Sequence, residues 1–169
     1  MTVHVLTRVQ RLSGAPDDVF RFFGEARNLE AITPPFLSFR VLTPDPIAMR
    51  PGALIDYRLR LHGVPLRWRT RIETWEPGVR FVDAQVRGPY ALWHHTHEFA
   101  RDPADPAGTV MRDTVRYALP LGQLGELARR AFVARDLARI FDFRAQAVAG
   151  LVRRPGLWSH SDTNPGRPP

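Results

Sequence analysis

Two histidines, His95 and His97, sit two residues apart in a stretch that alternates like a strand, Trp93-His94-His95-Thr96-His97-Glu98-Phe99. Side chains two apart on a strand share a face. Trp93 and Phe99, at the ends of the odd set, argue that this face points into the core and takes both imidazoles with it. In the next stretch Met111, Val115 and Tyr117 mark the inward face, and Asp113 falls on it. If Phe99 pairs with Met111 across the hairpin, His97 faces Asp113 and Trp93 faces Tyr117. A two-residue shift puts His95 opposite Asp113 instead. In either register one imidazole gains a carboxylate. In the preceding stretch either Phe81, Asp83 and Gln85 or Val82, Ala84 and Val86 point inward, and apolarity alone favours the second set.

Such a pair can do four things. It can be a satisfied interior group, because an unpaired buried charge costs several kcal/mol. A histidine, or Arg144 at the edge of the last helix's apolar stripe, can hydrogen-bond the polar end of a bound molecule. His95 or His97, oriented by Asp113, can move a proton alpha to a carbonyl without a cofactor. Finally, His95 and His97 with Asp113 or Asp83 have the composition of a two-histidine-one-carboxylate metal set. Catalytic candidates are therefore His95, His97 and Asp113, none of them committed, since no nucleophile or oxyanion hole accompanies them. No metal and no cofactor is assigned. Gly122-Gln123-Leu124-Gly125 lacks the Gly-Lys-Ser/Thr of a phosphate loop and reads as the break before a helix.

Composition narrows the classes further. The chain has 169 residues, no cysteine and a net charge of +7. All 24 basic residues are arginine, so a lysine Schiff base is excluded. The arginines are scattered. Arg67, Arg69 and Arg71 alternate with apolar residues and read as a solvated sheet face. A polyanion-binding or interaction module on this basic surface is one reading, but no specific nucleic-acid partner is expected. No stretch is long and apolar enough for a stable membrane insertion, and no secretory signal is visible, so a cytoplasmic setting is expected.

The elements that must position these groups follow from periodicity. Val3 to Leu12 reads as a strand. Pro16, Asp17 and Asp18 open a helix that breaks near Gly24, and a second short helix spans about Ala26 to Ala31. Strands follow at Phe36 to Leu42, Ala53 to Leu61, Val64 to Trp75, Val79 to Arg87, Ala91 to Ala100 and Thr109 to Leu119, with Asp102 to Gly108 as a loop. Seven strands on short connections imply antiparallel neighbours. From Gln123 to about Val152 the period becomes helical, giving roughly 45 Å of helix. Its apolar stripe is Leu127, Ala134, Leu137, Ala138, Phe141, Ala145 and Val148, opposed by Arg135, Asp136, Arg139, Asp142 and Gln146. Phe132 and Phe143 lie toward the polar side, against the short helices, the tail or a second copy. Residues 153–169 read as a disordered tail. A sheet with one apolar face needs a cover, and this helix is the only element large enough to supply it.

The sequence also resembles the START and birch-pollen-allergen helix-grip superfamily, the polyketide cyclase-like group, in a bacterial subgroup of unknown function. The likeness runs through Leu29-Glu30-Ala31-Ile32-Thr33-Pro34-Pro35-Phe36, Phe81-Val82-Asp83-Ala84-Gln85-Val86-Arg87-Gly88-Pro89-Tyr90, Trp93 to Phe99, and Asp113-Thr114-Val115-Arg116-Tyr117-Ala118-Leu119-Pro120-Leu121-Gly122, and covers residues 1 to about 152. It implies an α+β helix-grip domain over residues 1–152, a curved seven-stranded antiparallel sheet in the order β-α-α-β6-α around a long C-terminal helix. It also favours Phe81, Asp83 and Gln85 as the inward set. The expected function is binding of a small hydrophobic or amphipathic molecule between sheet and helix, for carriage, sensing or sequestration, by a monomer or homodimer. Expected contacts are Tyr57, Trp68, Asp83, Gln85, Trp93, His95, His97, Asp113, Tyr117, Phe141 and Arg144. The alternative is a cofactor-independent cyclase, dehydratase or hydrolase in the same cleft.

Overall fold

The computed structural model describes residues 1–152, and the expected disordered tail lies outside them. Strand β1 (His4–Ser13) leads into helices α1 (Pro16–Gly24) and α2 (Asn28–Ala31) and a 3-10 turn at Pro35–Leu37. Then follow β2 (Arg40–Val41), β3 (Leu54–Leu61), β4 (Val64–Glu76), β5 (Arg80–Arg87), β6 (Leu92–Asp102) and β7 (Asp105–Ala118). The last helix is α3 (Gly122–Ala128), a π-helical stretch at Arg129–Val133 and α4 (Ala134–Val152). The seven strands form one sheet in the order β1-β7-β6-β5-β4-β3-β2. Consecutive strands pair antiparallel, and β1 returns to the far side of β7.

Alternation along the strands sorts side chains into two layers. Ile55, Tyr57, Ile72, Phe99, Met111, Val115 and Tyr117 are buried, while Arg58, Arg67, Arg69 and Arg71 are exposed on the other side. Arg69 donates two hydrogen bonds to Asp56 at 2.7 and 2.8 Å, and Arg71 donates one to Glu73 at 2.9 Å. That face is a solvated lattice of charge pairs. His62 and Gly63, with φ of 50° and 81°, make the tight β3–β4 hairpin; two left-handed residues match the twist of the flanking strands.

Helix α1 is fixed by one ring. Phe20 meets Trp75, Phe81 and Phe99 at centroid distances of 4.8, 5.7 and 5.4 Å, each edge to face. Behind it Gly24 lies so close to the sheet that a Cβ would stand 2.7 Å from Trp75 Cη2. The long helix is held at both edges of the sheet. On the β1 side His4 contacts Glu126 at 2.8 Å, Gln10 donates to the Ala145 carbonyl at 2.7 Å, and Arg8 pairs with Asp142 at 3.2 Å. On the hairpin side His62 Nε2 lies 2.7 Å from Asp136 Oδ2, with the Phe132 ring edge-on to the imidazole.

Three expectations are corrected. Phe36 to Leu42 is strand only at Arg40–Val41, because Pro34 and Pro35 start a 3-10 turn and Ser38 takes a left-handed conformation. Asp102 to Gly108 is not a loop. β6 and β7 pair down to Asp102 opposite Asp105. Both aspartates close the turn by accepting main-chain N–H bonds, from Ala104 at 2.9 Å and Ala107 at 3.0 Å. Asp136, placed on the polar side, is buried next to Leu137 at the edge of the stripe, and before residue 133 the stripe fails, with Leu127 65% exposed. The π-helical stretch at Arg129–Val133 is wider than a 3.6-residue turn, so a stripe extrapolated through it loses phase. Phe143 faces a groove beside Ala31, Pro34 and Pro35, the short-helix side.

Truncating Phe20 to Ala leaves three rings facing a hole and is expected to cost about 3–5 kcal/mol, read from urea unfolding; a loss near zero would mean α1 is not held by this ring. Glu126 supplies a pH test. The Arg129 hydrogen bond holds its carboxyl at about 2, against an ordinary 4.5, with His4 adding to the effect. A depressed carboxylate stabilises the fold above its unfolded value and loses that contribution as pH falls toward the folded one. The melting-temperature gap between parent and Glu126→Gln should therefore be widest above pH 4.5 and close as pH falls toward 2.

Candidate functional site

Strands β5, β6 and β7 are neighbours, and their registers assemble the polar patch. Phe99 pairs with Met111, so His97 lies directly across from Asp113 and Trp93 across from Tyr117. On the other side Asp83 lies across from His95, and Phe81 across from His97. Each imidazole thus has one carboxylate opposite and another on the diagonal, within reach of a side chain.

The four groups close into a ring. His95 Nε2 lies 3.1 Å from Asp113 Oδ1, and His97 Nε2 lies 3.0 Å from Asp83 Oδ2. His95 Nδ1 is 3.6 Å from Asp83 Oδ2. His97 Nδ1 comes within 2.8 Å of Asp113 Oδ1, but so obliquely that no hydrogen bond forms, and the contact is electrostatic. The imidazole centroids are 3.7 Å apart. Phe81 stacks on His97 at 4.0 Å, and Phe141 of α4 meets His95 edge-on at 5.5 Å. His95 and His97 are only 4% and 3% exposed, so these rings cannot trade their partners for water.

Charge follows from this enclosure. Burial alone would raise the Asp113 carboxyl; the hydrogen bond with His95 and the close approach of the His97 imidazole outweigh it and hold the group well below the usual range. Asp83 is likewise lowered, burial being overcome by His97 and His95. Burial would also discharge His97, but Asp113 and Asp83 on either side raise it. His95 is lowered, by burial first and by its neighbour His97 second. The patch therefore favours both carboxylates in the charged form and takes up a proton on His97 in preference to His95. A neutral His95 that donates Nε2–H to Asp113 keeps a bare lone pair on Nδ1.

This patch forms part of the wall of a cavity of about 180 Å³ between sheet and α4. The cavity draws its lining from all three apolar clusters of the core: Phe23 and Phe81 from one, Ile55, Tyr57 and Ile72 from another, Val133, Leu137 and Phe141 from the third. Asp83, His95, His97 and Arg144 are polar points on that wall. The Arg144 guanidinium lies 5.1 Å from the Phe141 ring centroid, and its buried Nε has no hydrogen-bond partner among the described residues.

Of the expected contacts, Tyr57, Trp68, Asp83, Trp93, His95, His97, Phe141 and Arg144 line this space. Asp113 sits behind the imidazoles. Tyr117 packs under the helix with Val133 and Leu137. Gln85 turns aside, its amide donating to the Tyr90 carbonyl at 2.7 Å and its oxygen accepting from Tyr90 N at 3.3 Å. The inward set of β5 is thus Phe81 and Asp83, although Val82 is buried as well and Val86 is exposed. Two registers slip between β4 and β5, and that irregularity blurs the two faces. Sequence reasoning missed Asp136, Leu66 and Ile140 on the cavity wall. Asp136 was masked by its charge, which set it on the polar side although it adjoins Leu137 at the edge of the stripe; Leu66 and Ile140 carried no signal beyond being apolar.

Replacing His97 by Leu leaves Asp83 and Asp113 with one neutral imidazole between them. That uncompensated burial should cost about 3–5 kcal/mol in urea unfolding at neutral pH; a cost below about 1 kcal/mol would show that the ring of charges does not hold the three strands.

Neither a family model nor a curated protein sequence matches the chain. Solved structures do. The Zhui aromatase/cyclase from Streptomyces sp. R1128 superposes with a TM-score of 0.70 at 14% identity, over 90% of this chain and 95% of that one. A START superfamily protein from Mycobacterium smegmatis gives 0.63 at 11%, over 88% and 97%. Ara h 8.0201 gives 0.63 at 12%, over 89% and 98%. Identities this low speak for architecture alone: the chain has the helix-grip fold of the START-like and birch-pollen-allergen-like proteins and polyketide cyclases, with a hydrophobic cavity between sheet and helix.

Proposed function

We propose that this protein binds a small, mainly apolar molecule carrying one acidic or hydrogen-bonding group, and that it acts by carriage, sensing or sequestration. The observation that carries this reading is an apolar cavity with an unpartnered buried guanidinium nitrogen, that of Arg144, on its wall. Apolar pockets with few, placed polar groups are the usual form of small-molecule sites. A volume of about 180 Å³ suits a molecule of one or two fused rings. Apolar burial supplies the affinity, and the Arg144 side chain orients the acid. The aromatic walls, Tyr57, Trp68, Trp93 and Phe141, suit a flat occupant.

One observation favours a second reading, a cofactor-independent cyclase, dehydratase or hydrolase. His95 lines the cavity with Nε2 held 3.1 Å from Asp113 Oδ1, so a neutral ring donating that N–H would keep its lone pair on Nδ1. That is the arrangement of an oriented general base.

Naphthoate and naphthalenemethanol, compared by isothermal titration calorimetry, test the first reading. Both should bind the parent, Ile140→Trp should fill the space and weaken both, and Arg144→Leu should weaken the acid alone by about tenfold or more. Equal affinity of both probes for parent and Ile140→Trp would sink it. Turnover of an aryl ketone that disappears in His95→Gln would favour the second.

A further inference from the structure

We propose that Asp83, His95 and His97 form a binding site for one divalent first-row transition metal ion, with Asp113 as the outer carboxylate that aims both imidazoles. This goes beyond the cavity-binding reading and does not rest on it.

The geometry separates near atoms from far ones. Asp83, His95 and His97 each offer one ligand atom within 4.8 Å of the others, and Asp83 Oδ2, His95 Nδ1 and His97 Nε2 form the near set. Two of the separations from Asp83 Oδ2 are 3.0 Å to His97 Nε2 and 3.6 Å to His95 Nδ1. Tetrahedral ligands about 2.0–2.1 Å from an ion stand about 3.3 Å from each other, so the near set needs only small movements to close on one. The far nitrogens, His95 Nε2 and His97 Nδ1, both turn to the same oxygen, Asp113 Oδ1, at 3.1 and 2.8 Å. Ligating histidines characteristically present their second nitrogen to a carboxylate, which fixes the ring and raises its basicity. Here one carboxylate would serve both rings.

As a plain hydrogen-bond network the same arrangement is poor. Four nitrogens approach two carboxylates, yet the His97 Nδ1 approach is too oblique to be a bond and the His95 Nδ1 approach, at 3.6 Å, is too long. Half the available nitrogens are left without a good partner in a buried place. A metal ion would use the lone pairs of His95 Nδ1 and His97 Nε2, leave His97 Nδ1 facing Asp113, and balance the two carboxylates with its two positive charges.

The set also has an open side. Asp83, His95 and His97 line the cavity whereas Asp113 does not. Three protein ligands with a free face toward an apolar chamber leave coordination positions for water or for an oxygen of an occupant. Two imidazoles and one carboxylate select zinc, iron(II), cobalt or nickel over magnesium or calcium, which take oxygen-only cages. The ion would occupy the lone pair of His95 that the second functional reading assigns to a base, so the two uses exclude each other.

The test uses the full chain, stripped with chelator and free of any organic ligand, titrated with cobalt(II) and zinc(II). Expected are one cobalt ion per chain by elemental analysis after dialysis, visible absorption of a low-symmetry cobalt site, and its displacement by zinc. The double variant His95→Gln/His97→Gln should lose the bound ion, and Asp113→Asn should weaken it by about 10–100-fold. Thermal unfolding of each variant shows whether it folds. Should the variants not fold, X-ray absorption of the cobalt-loaded parent decides, two imidazoles supporting the site and none overturning it. Absence of saturable binding in the parent, or equal binding in the folded double variant through the other histidines, overturns the proposal. Because no organic probe is present, either outcome leaves the cavity-binding reading to its own experiment.

Discussion

Two carboxylates cannot share a buried patch of sheet unless something positive stands between them. Asp83 and Asp113 are on strands that flank β6, and the imidazoles of β6 are what separate them. This requirement fixes the registers of three strands at once. A slip of one residue on β6 that turned His95 and His97 outward and brought His94 and Thr96 in would leave the two acids one imidazole where two now stand. Phe81 on one imidazole and Phe141 against the other complete the enclosure, so α4 takes part in the same constraint.

The cavity follows from how the rest of the chain satisfies that constraint. The sheet's inner face carries aromatic and branched residues whose rings meet at their edges, as Trp68 does with Trp93 and Tyr90. Such contacts build stiff walls. α1 covers one end through Phe20 and Phe23, and α4 runs along the space through Leu137 and Phe141, lining it without filling it. The polar patch stands at this meeting point of three apolar clusters, where a polar group is costly unless paired or used.

Much of this was legible in the residues. Alternation through Ile55, Tyr57, Trp68, Ile72, His95, His97 and Val115 marked the inner face, whereas the Phe99–Met111 pairing was one of two registers that the residues left open, and it is the one the hairpin adopts. Asp83 was ambiguous because β5 is irregular against β4 and buries Val82 beside Phe81. A period-2 argument has no purchase where the ladder slips. Leu127 was misplaced for the analogous reason in the helix, where a π-helical stretch breaks the 3.6 period, whereas Asp136, in the regular turns beyond it, was set aside for its charge. Gln85 was misplaced because its side chain closes the turn before β6, a local use that composition does not distinguish from a cavity contact. The tightness of the His–Asp ring was beyond sequence, since it depends on diagonal reach across three strands.

The pairing of His62 with Asp136 fastens the tip of the β3–β4 hairpin to the long helix across the top of the chamber. Leu59, Leu61 and Leu66 of that hairpin are among the walls. The buckle thus ties the hairpin wall of the chamber to the helix at its rim. A guest that enters by parting hairpin from helix has to unfasten it first, and admission and fraying of the hairpin then become one event.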